Sequence, residues 1–161
     1  MIKKIVSGGQ TGVDQGGLIA ADNLKIPMGG WAPKGFLTEK GSQPWLGEKY
    51  NLKEVDYSGY VGYAIRTKAN VKDSDGTIRI AKNYDSKGEI CTLKAIQHFE
   101  KPYFDIDPNN PPDPQEVRNW IKENNIEILN IAGNRESKAP GICKFTVKFL
   151  TEVLNDESSK D

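Results

Sequence analysis

A single histidine, His98, and two cysteines, Cys91 and Cys143, are all this sequence offers as imidazole or thiolate ligands and nucleophiles. One histidine builds neither a zinc site nor a Ser-His-Asp relay without partners. His98 falls in a helical stretch between Ile96 and Phe99 and reads as a structural or surface residue. The two cysteines stand far apart, match no metal or redox spacing, and read as small buried apolar residues of a chain kept in a reducing cytoplasm. An excess of one charge is lacking as well. The 22 basic and 22 acidic residues cancel, so no long-range field draws the protein to a nucleic acid polymer or to anionic lipid. No apolar run approaches the roughly 20 residues that cross a bilayer, and the N-terminus enters a strand with no signal-peptide pattern. At 161 residues one domain is expected, over 1–154, followed by a charged, frayed tail over 155–161.

What the sequence does have is glycine at telling places. The β-branched run Ile2–Val6 reads as a buried strand and passes directly into Ser7-Gly8-Gly9-Gln10-Thr11-Gly12, after which a helix opens near Asp14. Glycines let backbone N–H groups approach an anion closely, and the helix adds the positive end of its dipole, which favours an anion-binding loop over a glycine turn that only packs strand against helix. The loop is neither of the familiar phosphate loops. A Walker A sequence ends in Gly-Lys-Ser/Thr, whereas Gly12 is followed by Val13-Asp14, and the spacing of Gly8, Gly9 and Gly12 departs from the dinucleotide fingerprint.

Strand-like and helix-like segments alternate along the rest of the chain. A helix is expected over 14–24, with Leu18, Ala21 and Leu24 on one side. A short strand follows at 28–31, inside a stretch over 27–56 rich in Gly, Pro and aromatics that resists assignment. Tyr57, Val61, Ala64 and Ile65 mark the face of a helix over 57–69. Strands are expected at 76–81, 102–106 and 127–132, and a helix at 89–100. Asp113-Pro114 starts another helix, with Val117, Trp120 and Ile121 as its stripe. Pro140 opens the last helix, whose apolar side is Ile142, Phe145, Phe149, Leu150 and Val153. This alternation predicts an α/β, Rossmann-like, doubly wound and mainly parallel sheet with helices on both faces.

In such a sheet ligands sit outside the carboxyl ends of the strands. Three of these ends carry polar, glycine-bearing turns: Ser7–Gly12, Asn83–Gly88 and Gly133–Gly141. In the last of them Arg135 and Lys138 suit an anion, and Glu136 suits a ribose, a pterin or a base; a solvated capping loop is the equal alternative for this segment. Arg66 and Asn70, four apart, share a helix face directed at a ligand or an adjacent subunit. Lys34 follows Trp31 and offers a cation beside an aromatic plane, although Trp31 itself reads as core or interface packing. Asp73 and Asp75 read as turn residues before Gly76.

Four segments in order carry a family resemblance that covers nearly the whole chain: Ser7-Gly8-Gly9-Gln10-Thr11-Gly12-Val13-Asp14, Gly29-Gly30-Trp31-Ala32-Pro33-Lys34-Gly35, Asn70-Val71-Lys72-Asp73-Ser74-Asp75-Gly76 and Gly133-Asn134-Arg135-Glu136-Ser137-Lys138-Ala139-Pro140-Gly141. With these the chain resembles the molybdenum carrier family, part of the Rossmann-like superfamily of lysine-decarboxylase-like proteins and nucleotide-sensing SLOG domains. The resemblance implies a cytoplasmic homo-oligomer, dimer or tetramer, that binds a phosphorylated small molecule, molybdenum cofactor or a nucleotide. Carried over to matching positions, it places phosphate at Gly8, Gly9, Thr11 and Gly12, with Gln10 and Asp14 as ligand-binding residues beside them. Gly88 and Thr92 form a second anion-facing segment, and Ser137 joins Arg135, Glu136 and Lys138. A bulky substitution at Gly12 is expected to abolish binding and leave the fold intact. A related branch hydrolyses nucleoside monophosphates with a glutamate in a Gly-Thr-x-x-Glu signature. Ala95 stands at the equivalent place in Cys91-Thr92-Leu93-Lys94-Ala95, so no residue is assigned as catalytic and none as a metal ligand. The alternatives are a nucleotide or ADP-ribose sensor, and a nucleotide-processing hydrolase with Asp14, Glu89 or Glu136 as its acid–base residue.

Overall fold

The structure is a computed structural model and describes residues 1–155; the expected frayed tail therefore lies, beyond Asn155, outside the described residues. Its strands are β1 (Lys4–Val6), β2 (Met28–Ala32), β3 (Leu37–Thr38), β4 (Gly41–Ser42), β5 (Leu52–Glu54), β6 (Gly76–Ile80), β7 (Tyr103–Ile106) and β8 (Ile128–Gly133). Its helices are α1 (Val13–Leu24), α2 (Trp45–Tyr50), α3 (Gly59–Lys72), α4 (Lys87–Phe99), α5 (Pro114–Glu123) and α6 (Ile142–Leu154), with a 3-10 turn at Lys34–Phe36.

Six strands form one sheet in the order β5-β2-β1-β8-β6-β7, and β3 and β4 form a separate small hairpin. Every pairing in the large sheet is parallel. The last strand in sequence, β8, lies in the middle, with Leu129 opposite Ile5 on β1 and Ile131 opposite Ile78 on β6. Central parallel strands are covered on both sides and read as continuous apolar runs rather than alternating ones; all five residues of β6 are buried. Right-handed crossovers that travel in opposite directions across the sheet place their helices on opposite faces. The α1 and α5 connections run one way and α3 and α4 the other, which gives the two helical layers.

One layer packs α1, α5 and α6 over Ile5, Ile78, Leu129 and Ile131, with Val117, Phe149 and Leu150 facing down onto them. The approach of α1 to α6 is close: a Cβ on Gly16 would stand 2.8 Å from Thr146 Cβ. On the other layer Val71 of α3 meets Ala95 and Ile96 of α4, while Leu18, Leu46, Tyr50 and Leu52 form a third cluster around α2 and β5. Asp113 caps α5 by accepting from the Gln115 N–H at 2.8 Å, with Pro114 in the first turn, as its sequence predicts.

Two expectations need correction. The face assigned to α3 is not its core face: Tyr57 is 56% and Val61 55% exposed, and the buried positions are Gly62, Asn70 and Val71. The α3 aromatics that line a cavity at the carboxyl edge are Tyr60 and Tyr63, with Ala64 beside them, whereas Tyr57 and Val61 are exposed outside it. Cys91 and Cys143 are half-buried rather than buried. The unassigned stretch holds the β3–β4 hairpin, α2 and the edge strand β5. His98 is exposed, set edge-on against Phe99.

Candidate functional site

The turns after β1, β6 and β8 meet at the carboxyl edge, as the parallel sheet requires, and enclose a cavity of about 700 Å³. Gly8, Gln10 and Asp14 line it from the β1 turn, and Tyr60, Tyr63, Arg66 and Asn70 from α3. The first turns of α4 supply Ser86, Lys87, Gly88, Glu89, Cys91 and Thr92, and the β8 turn supplies Arg135 and Lys138. Of the residues singled out from the sequence, Gly9, Thr11, Gly12, Lys34, Glu136 and Ser137 are not among the lining residues.

Asp14 organises the β1 turn. Its Oδ2 accepts from the Gln10 N–H at 3.2 Å and from Arg66 Nη1 at 2.8 Å, and the Ser7 hydroxyl donates to its carbonyl at 3.0 Å. The Gln10 N–H is thus taken up by a carboxylate belonging to the chain, while the Gly9 and Thr11 N–H groups donate to Ser7 Oγ and Gln10 Oε1. Arg66 reaches it only because position 8 is glycine: a Cβ there would lie 1.6 Å from Nη1. Burial pushes the Asp14 carboxyl up from its ordinary range, with the Arg66 charge and hydrogen bond working against it. Arg66 Nε is buried and has no hydrogen-bond partner among the described residues.

Gly12 has a different task. At φ 81° its missing Cβ would sit 2.4 Å from the Asn134 carbonyl and 2.7 Å from the Glu136 nitrogen. The glycine seats the β1 turn against the β8 turn, and a bulky residue there disrupts the fold itself, contrary to expectation. Asn70 is likewise committed: its Oδ1 accepts from the Trp31 N–H at 2.8 Å and its Nδ2 donates to the Trp31 carbonyl at 3.0 Å. Trp31 Nε1 in turn donates to Asp73 at 2.9 Å, and Asp75 accepts the N–H groups of Glu127 and Ile128. Both aspartates are structural, as their turn reading implies.

The start of α4 forms the opposite wall. Ser86 caps α4 by accepting from the Glu89 N–H, and its hydroxyl donates to the Glu89 carboxylate. Burial pushes the Glu89 carboxyl up; the Asp14 charge pushes the same way, while the Glu89 backbone N–H, Lys138 and Arg79 oppose it. Gly88 has nothing within 4 Å of where a Cβ would stand, so this turn is open to the cavity, and the Thr92 hydroxyl donates to the Gly88 carbonyl at 3.0 Å. Position 95 does not face this space. Ala95 is 2% exposed and packs with Val71 and Ile96, so the acidic group that the helix brings to the cavity is Glu89.

Arg79 went unnoticed in the sequence because it lies inside a strand that reads as apolar. It is 3% exposed and grips Asp105 with Nε at 2.7 Å and Nη2 at 2.5 Å, while Nη1 donates to the Glu89 carbonyl at 3.1 Å. The Tyr84 and Tyr103 rings stand 4.5 and 5.4 Å from its guanidinium carbon. This buried fork anchors the first turn of α4. Opposite charges 26 positions apart are invisible to periodicity.

Glu136, expected to face a ligand, instead caps α6: its carboxylate accepts from Gly141 N–H at 2.6 Å and Cys143 N–H at 3.0 Å. Thr11 and Ser137 gather around Glu39, at the tip of the β3–β4 hairpin. The Thr11 hydroxyl, the Ser137 hydroxyl and the Ser137 N–H all donate to the Glu39 carboxylate, and Arg135 Nε stands 3.3 Å from it. Glu39 lies in the stretch whose sequence carried no signal. Lys34 is exposed in the 3-10 turn, where its N–H donates to the Tyr57 carbonyl at 2.9 Å. Lys138 forms no ion pair within 4 Å among the described residues, and Lys87 stands 5.6 Å from the centre of the Tyr60 ring. Among the described residues no group of three or more His, Cys, Asp or Glu is placed to hold a metal ion, and no helix is long and apolar enough to cross a membrane.

Residues 5–154 match the model of the circularly permutated YpsA SLOG family. Among solved structures, a protein from Syntrophus aciditrophicus named "putative molybdenum carrier protein" is similar to this chain at 38% identity, with a TM-score of 0.83 and 95% of each chain covered. No curated protein matches.

Proposed function

Because the chain belongs to the circularly permutated YpsA SLOG family, we propose that it is a binding protein that holds a phosphorylated heterocycle, molybdenum cofactor foremost, in the cavity at the carboxyl edge of the sheet. The observation that carries this reading is the cavity's division of labour. Tyr60 and Tyr63 provide aromatic faces on one wall, Lys138, Lys87 and Arg135 provide cations, and the open turn at Gly88 leads into the start of α4. Rings stack on aromatic faces, and phosphate is stabilised by cations. The buried, unpartnered Nε of Arg66 offers a donor to a polar ring edge.

The name of the Syntrophus aciditrophicus neighbour supports molybdenum cofactor as the cargo. The donor set favours the organic part of such a cargo over its metal. Cys91 is the one thiol lining the cavity among the described residues, and soft metals prefer several thiolates. Phosphate and pterin therefore carry recognition, and capture shields a labile species from water and oxygen. Tyr57 and Val61, exposed around the start of α3 and outside the cavity lining, favour a homo-oligomer, which sedimentation of the full chain tests.

Titration with isolated molybdenum cofactor, with AMP and ADP-ribose as competitors, decides the matter. Saturable cofactor binding that neither nucleotide displaces supports the carrier reading. Tight nucleotide binding without cofactor affinity replaces it with a nucleotide sensor or hydrolase. One observation favours turnover as the second reading: a glutamic acid, Glu89, held toward its protonated form inside the cavity, suited to protonating a departing base. Release of free base from AMP, lost in Glu89→Gln, would establish it.

A further inference from the structure

We propose that Thr11, Ser137 and Arg135 form a phosphate site which the chain fills with its own Glu39 carboxylate, and that a phosphoryl group of the ligand enters by displacing the β3–β4 hairpin. The phosphoryl source rests on the binding reading above; the site itself rests on geometry.

Four donors converge on the one carboxylate. The Thr11 hydroxyl accepts from the Glu136 N–H at 3.2 Å, so its own proton is aimed at Glu39, to which it donates. Thr11 is 5% exposed. Ser137 contributes both its N–H, at 3.2 Å, and its hydroxyl, and Arg135 adds positive charge at 3.3 Å. All four come from the turns after two adjacent strands, β1 and β8, while Glu39 arrives from a hairpin elsewhere in the chain. The donors are therefore positioned by the sheet and do not need the hairpin to be assembled. Hydroxyls, a backbone amide and a guanidinium around an oxyanion are the donor set for phosphate. Burial pushes the Glu39 carboxyl up, yet the Ser137 and Thr11 hydrogen bonds and the Arg135 charge leave it below its ordinary value, the signature of an anion in an anion site.

The site is continuous with the cavity. Arg135 and Gln10 line the cavity, and Gln10 Oε1 also accepts from the Glu39 N–H at 2.9 Å. A ligand whose ring lies in the cavity and whose phosphate reaches past Arg135 would compete for the seat Glu39 holds. The hairpin suits displacement: each of its strands is two residues long, and Gly41 has nothing within 4 Å of a Cβ position.

The test is a titration of the full chain with inorganic phosphate, followed by the Ser137 amide signal in proton–nitrogen spectra. Glu39→Ala and Glu39→Gln should each bind phosphate at least tenfold more tightly than the wild type, and Arg135→Ala added to Glu39→Ala should cancel the gain. In the wild type, saturating phosphate should speed hydrogen exchange at the Glu39 amide. Folded variants that bind phosphate no better than the wild type, together with an unchanged Glu39 amide, would overturn the proposal and leave Glu39 a structural latch. AMP or cofactor bound equally by wild type and Glu39→Ala would also overturn it while leaving the cavity reading standing. If neither compound binds the wild type but phosphate binds Glu39→Ala tightly, the cavity reading fails and the phosphate site survives.

Discussion

Arg66 Nη1 lies 2.8 Å from Asp14 Oδ2 across 52 positions of sequence, and tethers helix α3 to the turn that follows the first strand. The pair joins the two sides of the cavity. Asp14 is 3% exposed and the Arg66 side chain 14%. Removing the cation leaves a carboxylate stranded out of water, and broken buried pairs cost roughly 3–5 kcal/mol. Arg66→Met is expected to lose about that much at pH 7 in urea denaturation. The loss should shrink toward pH 5, because Asp14, already displaced upward and now without its partner, escapes by binding a proton. A loss of equal size at both pH values would contradict this account.

Glu89 gives a prediction of definite sign. Its folded pKa is raised, so as pH climbs the unfolded chain gives up this proton first, starting near about 4.3. Stability therefore falls as pH rises from there through the folded value, and stays at its lower level above it. Glu89→Gln keeps the shape without the charge. It should flatten the fall in unfolding free energy between about pH 4.3 and neutrality, with Asp14 contributing whatever slope remains. Parallel pH profiles for wild type and variant would refute the assignment. Glu39 works in the opposite direction: its lowered pKa stabilises the fold above the ordinary carboxylate range and ceases to do so as pH falls through the folded value.

Two glycines separate packing from access. Gly12→Ala drives a methyl into the Asn134 carbonyl at a positive φ, and is expected to cost roughly 2–4 kcal/mol. Gly88→Ala meets nothing and sits in the first turn of α4, where a gain of about 0.4–1 kcal/mol is expected. Thermal unfolding of the two proteins side by side checks both, and ligand affinity should drop for Gly88→Ala although its fold is firmer.

Glu136 and Lys138 lie two residues apart and should behave oppositely. Glu136→Ala removes the cap of α6, which costs about 1–2 kcal/mol and leaves cavity affinity unchanged. Lys138→Ala should leave stability within about 0.5 kcal/mol and weaken binding of a phosphorylated ligand about tenfold, the effect of losing one charge-assisted contact. Calorimetric titration with AMP or the cofactor, beside denaturation curves, reads both quantities.

The parallel sheet and its helices were legible because the apolar runs at β1, β6 and β8 and the stripes of α5 and α6 are local patterns. Convergence of the three turns followed from strand direction alone. What could not be read depends on contacts distant in sequence. Periodicity grouped Tyr57 and Val61 on one helix face, but an exposed apolar face and a core face share one composition. Arg79 passed unremarked inside an apolar strand, because its partners, Asp105 and two tyrosine rings, are distant in sequence. Glu39 has no local signal, since its importance comes from donors in two other turns. The roles of Gly12 and Glu136 stayed open in the sequence for a related reason: a loop rich in glycine and charge looks the same whether it grips a ligand or a neighbouring loop.

The place of β8 in the sheet has a consequence for how the molecule assembles. During synthesis the first seven strands exist before their central partner, and β1 and β6 then present two unpaired edges facing a gap. Closing that gap joins Ile5 to Leu129, a contact of long sequence separation, and such contacts form late and slowly. Until Ile128–Gly133 is inserted, the chain exposes two strand edges to any passing extended segment. A mutation that delays β8 should thus appear first as aggregation, before any loss of ligand affinity in the folded fraction.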